Sequence, residues 1–213
     1  MIPENVIISK VNDILNREEI LTINENKDAK KCADIYGEKK SVLNNYDYTY
    51  VIDSFANITT LRAFNRISFA NDMDITFGFY DNENIYVTNV QPGVTGCFEC
   101  LEKHIISKFP NTLKYYLSRS AESNSDTNEV SVPELLLLTG IILKDMDNVK
   151  QYGNTSLGGQ VIHYYLPNFE YSYNVNRRHV SCISCAGINR AMFEEQNVKA
   201  INLIKEEINN DKV

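Results

Sequence analysis

Cys97-Phe98-Glu99-Cys100 and Cys182-Ile183-Ser184-Cys185 are each a C-x-x-C turn, and together they hold four of the five cysteines. Two thiolates in one tight turn can share a metal ion. Two such turns supply the four sulfurs, at about 2.3 Å, that a tetrahedral zinc site takes. The turns lie 85 positions apart, so a shared ion would close a large loop rather than make a local finger. Other uses of the pattern compete with zinc. Paired disulfides suit a secreted chain, and no signal peptide is expected here. A thioredoxin-like redox pair needs one C-x-x-C at a helix start, not two. An iron–sulfur cluster uses the same ligands and stays open. The expectation is a structural zinc on Cys97, Cys100, Cys182 and Cys185; a closed set of four sulfurs has no open position for chemistry. Cys32 stands apart and reads as a small buried residue.

The 213 residues suffice for one large domain or two small ones. A net charge of −7 argues against nucleic acid as a partner. The longest apolar run, Leu135–Leu143, is broken by Thr139 and Gly140 and falls short of a membrane span. A cytoplasmic protein is expected. Neither G-x-G-x-x-G nor G-x-x-x-x-G-K-[ST] occurs, so neither common phosphate cradle is present.

The apolar spacing predicts helices over Val6–Leu15 and Asp28–Tyr36, with a short strand at Glu19–Ile23. Tyr48–Ile52 reads as a strand ending at Asp53, followed by a helix over Ala56–Phe69 capped by Asn57 or Thr59. Strands follow at Ile75–Tyr80 and Asn84–Val90, joined by Asp81-Asn82-Glu83. Leu101–Phe109 has one apolar side and reads as a helix. The polar run Ala121–Glu129 reads as a loop. Ser131-Val132-Pro133-Glu134 opens a long helix to about Val149, whose dense apolar content suits a core helix or a subunit interface, core being preferred. Gly158–Leu166 and Phe169–Val175 read as antiparallel strands, and Asn189–Glu207 as an amphipathic helix. Arg177, Arg178 and His179 read either as an anion site or as charge softening the −2 of a zinc–tetrathiolate centre, the latter preferred. His104 and His163 have no nearby nucleophile in the sequence.

The order Val51-Ile52-Asp53, Asn57, Asn65, two strands, Pro92-Gly93, Cys97-x-x-Cys100 and Arg177-Arg178-His179 before Cys182-x-x-Cys185 resembles the ThiF and ubiquitin-activating superfamily over roughly residues 45–190. Pro92-Gly93-x-x-x-Cys97-x-x-Cys100-Leu101-Glu102-x-His104 looks especially like the subgroup found with bacteriocin and thiopeptide clusters. The resemblance implies an α/β fold: a partial ThiF-like, Rossmann-derived sheet with flanking helices and a four-cysteine zinc site. The expected organisation is an N-terminal segment 1–45, a ThiF-like zinc domain 46–190 and a C-terminal helix 191–213. Active members carry an Asp where this chain has Ala56, and an Arg where it has Leu61, with Arg62 one place late. With those groups and the glycine-rich half missing, adenylation loses its charge stabilisation. Asp53, Asn57 and Asn65 are then expected to serve as caps and turn residues.

The function this implies is a non-catalytic zinc-binding scaffold. It would bind a precursor (leader) peptide, activate a YcaO-type cyclodehydratase that makes azolines in bacteriocin or thiopeptide synthesis, or do both. The winged-helix module that grips leaders in related proteins needs about 80 residues, more than precede the ThiF-like region, so the edge of the Ile75–Val90 hairpin is an alternative docking place. Two rivals stay open. One is an adenylating enzyme whose ATP site is completed by another chain, a homodimer included. The other is a zinc-stabilised dimerisation module.

Overall fold

Asn16, close to the start of the described residues, makes a reciprocal cap. Its side chain accepts from the Glu19 amide (2.9 Å), and the Glu19 carboxylate accepts from the Asn16 amide (2.8 Å). This capping box satisfies two orphan donors at once and nucleates helix α1, Arg17–Glu25. The strand expected at Glu19–Ile23 is therefore helical. Its β-branched residues suggest an extended run, but Ile20 and Ile23 bury one turn apart. The computed structural model describes residues 14–46, 48–81, 83–108 and 132–185. Of the helix expected over Val6–Leu15, only Ile14 and Leu15 fall within these. The Ala121–Glu129 loop, the Ser131 cap and the Asn189–Glu207 helix lie outside them.

Helix α2, Ala29–Leu43, starts at Asp28, whose carboxylate accepts from the Lys30 and Lys31 amides. It runs past the expected end at Tyr36 because Cys32, Ile35, Lys39 and Leu43 continue one buried face. Lys39 reaches Glu19 at 2.8 Å and ties α2 to α1. Strand β1, Thr49–Ser54, leads through a 3₁₀ turn, Phe55–Asn57, into α3, Ile58–Asn71. The turn displaces this helix by two residues from the expected Ala56–Phe69. Strands β2, Ile75–Tyr80, and β3, Asn84–Val90, stand at the predicted positions, with Asp81 accepting from the Glu83 and Asn84 amides. Helix α4, Phe98–Lys108, begins inside the first cysteine turn, three residues earlier than predicted. Helix α5 spans Val132–Tyr152, β4 spans Gln160–Tyr165 and β5 spans Glu170–Val175.

The result is a mixed α/β arrangement around one five-stranded sheet in the order β1-β2-β3-β4-β5. Only β1 and β2 run parallel (Val51 beside Phe77), with α3 as their crossover; the other pairs are antiparallel. This order corrects one expectation: the β2–β3 hairpin lies in the middle of the sheet and offers no free edge for a peptide. Among the described residues the outer strands are β1 and β5.

Each face of the sheet has its own cover. Phe77, Phe79 and Tyr86 join Phe64 of α3 and Phe98 of α4, and the same core takes in Ile20, Ile23, Ile35 and Leu43 from α1 and α2. On the opposite face Ile85 and Val87 meet Leu138 and Ile142 of α5. Gly78 makes that approach possible, because a Cβ there would sit 2.8 Å from Ile142 and 2.9 Å from Leu138. Helix α5 is thus a core helix along one side only. Val132, Leu135, Leu136 and Leu143 remain exposed on another. Among the described residues no helix is long and apolar enough to cross a membrane.

Candidate metal centre

Both cysteine turns are placed by backbone chemistry before any sulfur is considered. Cys97 precedes α4 and Cys100 sits in its first turn, with the Cys100 and Leu101 amides donating to the Cys97 carbonyl at 3.1 Å. The buried Asn65 of α3 accepts from the Phe98 amide at 3.0 Å and so anchors the start of α4 to the sheet cover. Phe98 drives the same point into the core, its ring 5.2 Å from Phe77 and 5.4 Å from Phe79.

The second turn arrives from β5 and is zipped to the first. Gly96 donates to the Asn176 carbonyl at 3.0 Å, and the Asn176 side-chain amide donates to the Gly96 carbonyl at 2.8 Å. A Cβ at Gly96 would lie 2.6 Å from the Asn176 carbonyl oxygen and 2.8 Å from that of Arg177. Backbone cannot swing aside as a side-chain tip can, so Gly96→Ala is expected to cost about 1–3 kcal/mol. Thermal melts read this as a lower Tm, and metal content should fall as the turns part.

With the turns so held, all four predicted cysteines meet. Their sulfurs lie within 4.8 Å of one another and could hold one metal ion. Cys97 approaches Cys100 at 3.6 Å and Cys182 at 3.4 Å, and Cys100 approaches Cys185 at 3.3 Å. All five cysteines are free thiols in this structure. Four sulfurs at about 2.3 Å from one tetrahedral ion are about 3.8 Å apart, so a slight expansion accommodates zinc. The donor chemistry also fits: the four side chains are buried, and the His179 amide donates to the Cys100 sulfur at 3.2 Å. Hydrogen bonds from Cys182, Cys185 and Cys97 hold the Cys100 thiol far below its usual range. Hydrogen bonding to Cys100, Cys182 and Cys185, with burial, pushes Cys97 up. A divalent cation would favour thiolates throughout.

Side chains that the sequence did not single out fasten the second turn to α4. Ser184 donates to Glu99, whose carboxylate also accepts from Arg66 Nε at 2.9 Å. Lys103 donates to the Ser181 carbonyl. Glu99 and Ser184 occupy the middle positions of the two C-x-x-C turns, but nothing in the spacing says that they meet. Arg66 continues to the Ile23 and Asn24 carbonyls, linking the centre to the end of α1. A cleft of about 580 Å³ opens there, lined in part by Asn24, Tyr36, Arg66, Phe69 and Ser184.

The remaining candidates have structural duties. Arg178 donates to the Thr95 carbonyl at 3.1 Å and to that of Gly93, bracing the loop before Cys97. His179 and His104 stack edge to face at 5.5 Å, and His104 meets the Arg177 carbonyl. His163 lies flat on Tyr86, with centroids 4.4 Å apart, and bonds Asn84. Cys32 is buried, its sulfur 3.5 Å from the Thr22 carbonyl. Leu61 lies in the core, and Arg62 pairs with Glu102 of α4. Asp53, at the end of β1, accepts from Asn57 and from the Ser54 amide, both at 2.7 Å, and so braces the turn that follows the strand.

Burial lifts the Asp53 carboxyl above its ordinary value, although the bonds from Asn57 and Ser54 oppose the shift. The folded chain therefore holds this proton more tightly than the unfolded chain. Stability falls as pH rises through the folded-state value, and the penalty is absent in acid. Asp53→Asn keeps the accepting oxygen and removes the charge. The variant should melt above the parent near pH 7, with the difference closing toward about pH 3.

No family model matches the sequence, and no curated protein matches it. Solved structures show a likeness in fold. E. coli MccB with succinimide aligns at 15% identity and a TM-score of 0.45, over 64% of this chain and 39% of that one. The heterocyclase TruD aligns at 16% and 0.47, over 66% and 22%. E. coli MccB with selenomethionine MccA aligns at 14% and 0.46, over 68% and 42%. The chain spans about two fifths of MccB and about a fifth of TruD. At this identity and TM-score the likeness carries no argument about chemistry.

Proposed function

We propose that this chain is a non-catalytic, zinc-stapled scaffold of the ThiF type, working in the cytoplasm. In this reading it binds a ribosomal precursor peptide and activates a YcaO-type cyclodehydratase that forms azolines. Cys97, Cys100, Cys182 and Cys185 hold the zinc, which supplies a cross-link and no reaction step. The observation that carries the reading is the closed sulfur set: four buried thiols converge on one point, and among the described residues no His, Asp or Glu joins the cluster. The duties of the neighbouring family positions support it. Asp53 and Asn57 bond one another, Asn65 pins the start of α4, and Ala56 and Leu61 stand where catalytic members carry charge.

Calorimetric titration of the zinc-loaded protein with Mg²⁺–ATP tests this directly. No saturable heat is expected up to millimolar nucleotide. Adding the protein to a YcaO-type enzyme and a Cys/Ser/Thr-containing precursor should raise the rate of azoline formation, read as loss of water by mass spectrometry. Saturable ATP binding with release of pyrophosphate would overturn the reading in favour of an adenylating enzyme. Failure to bind any precursor or stimulate any cyclodehydratase would reduce it to a zinc-bearing module.

A further inference from the structure

The two cysteine turns are held in unlike ways. The first is built into the core: Phe98 is fully buried among Phe55, Phe77 and Phe79, and Asn65 fixes its amide. The second belongs to no helix or strand. Its apolar side chains, Val180 and Ile183, are 93% and 82% exposed and so anchor little. Apart from the cysteine sulfurs, the hydrogen bonds and ring contact that reach residues 179–185 from elsewhere all come from α4.

Two of these contacts are charged. Glu99 and Lys103 stand one turn apart on one side of α4. Glu99 accepts from the Ser184 hydroxyl and Lys103 donates to the Ser181 carbonyl, so the grip falls on both sides of Cys182. The carboxylate is set in advance. Glu99 is buried, and the oxygen that takes Ser184 also accepts from Arg66 Nε at 2.9 Å. Arg66 is itself fixed by the Ile23 and Asn24 carbonyls.

We propose that residues 179–185 are the moving jaw of the centre: this stretch lifts off a fixed first turn to admit or release the ion, and Glu99 with Lys103 latches it down. The inference rests on the four-sulfur zinc reading and adds the part that moves and the residues that position it. All four cysteines are buried, so some segment must move before an ion or a chelator reaches them. Lifting the first turn draws the Phe98 ring out of the core and exposes its apolar surface. Lifting the second exchanges two charge-assisted hydrogen bonds for bonds to water, which is the smaller net loss.

Zinc transfer from the full chain to a chromophoric chelator measures the latch. Ser184→Ala should speed transfer about tenfold, the usual worth of one hydrogen bond to a charged partner. Ser184→Thr keeps the hydroxyl and should return the rate to near the parent's. Lys103→Met keeps the stem without the ammonium and should speed transfer as well. Arg62→Met is the control, because it breaks the 2.9 Å pair with Glu102 between the same two helices without touching the second turn. Its melt should fall while its transfer rate stays parental. With cobalt(II) in place of zinc, the thiolate charge-transfer absorption should match between the parent and Ser184→Ala, since the ligands are the same. In the zinc-free protein, amides of 179–185 should gain deuterium while those of 98–105 stay protected.

A parental rate in Ser184→Ala overturns the latch, and so does an equal acceleration in Arg62→Met, which is general loosening. Exchange at 98–105 as fast as at 179–185 overturns the fixed first turn. Metal analysis of the parent separates the two readings. A parent without zinc overturns the staple and the latch together, whereas a parent with one equivalent confines the failure to the latch.

Discussion

Replacing Cys182 by Ser, or stripping the protein with a chelator, is expected to cost about 4–5 kcal/mol. The figure follows from closing a loop of 85 residues, treated as a cross-link that restricts the unfolded chain. Total stabilities of about 5–15 kcal/mol make this a large fraction of the whole. For a chain of this size it corresponds to a Tm fall of about 10–20 °C. One equivalent of zinc should be released, counted with a colorimetric indicator, and re-addition should restore the melt of the parent but not of the variant. Cys32→Ser is the control. Cys32 is also buried but lies outside the cluster, so that variant should keep its metal. If Cys182→Ser and Cys97→Ser both retained the ion and the parental Tm, the four-sulfur staple would have to be abandoned.

Phe98→Ala is the second large effect. The ring is fully buried and touches an aromatic group made of Phe55, Phe77 and Phe79, with centroids 5.2 to 6.5 Å away. Truncating a buried Phe costs about 3–5 kcal/mol through lost transfer energy and an uncollapsed cavity. Phe79→Ala should cost a similar amount, since Phe79 belongs to the same group. The two variants should differ in metal retention. Phe98 sits between Cys97 and Cys100 and sets the first turn against the core, so its loss should speed zinc transfer to a chelator. Phe79→Ala should leave that rate near the parent's. Equal rates would mean that the cysteine turn holds its shape without the ring.

The contrast between these two phenylalanines shows what was legible in the sequence. Alternation and β-branching mark β2 and β3 correctly, because their signal is local and both strands are buried. The four cysteines stand out by spacing alone, and the structure brings them together. The short strand expected at Glu19–Ile23 failed because five residues carry too little periodicity to outweigh a cap that begins upstream, at Asn16. Helix α3 begins two residues late because Ser54 and Asp53 capture the amides of Ala56 and Ser54 and extend the turn. The parallel β1–β2 pairing was hidden for a different reason. It depends on where α3 packs, and that is a property of the assembled core. The Ser184–Glu99–Arg66 chain was likewise out of reach, since its members are scattered along the chain and only the fold makes them neighbours.

Strand order follows chain order through all five strands, and this has a kinetic consequence. β1, α3, β2 and β3 can assemble from contacts close in sequence, at low loop-closure cost. The β4–β5 hairpin must then return over the long excursion that holds α4 and α5. Its docking on β3 and the meeting of the two cysteine turns close the same excursion. Whichever event comes first shrinks the search left for the other. Metal capture and completion of the sheet should therefore be thermodynamically coupled steps of one late folding event. In the metal-free protein, amides of 160–175 should exchange with deuterium well before those of 75–90, and zinc should slow exchange in the late hairpin far more than in the early one.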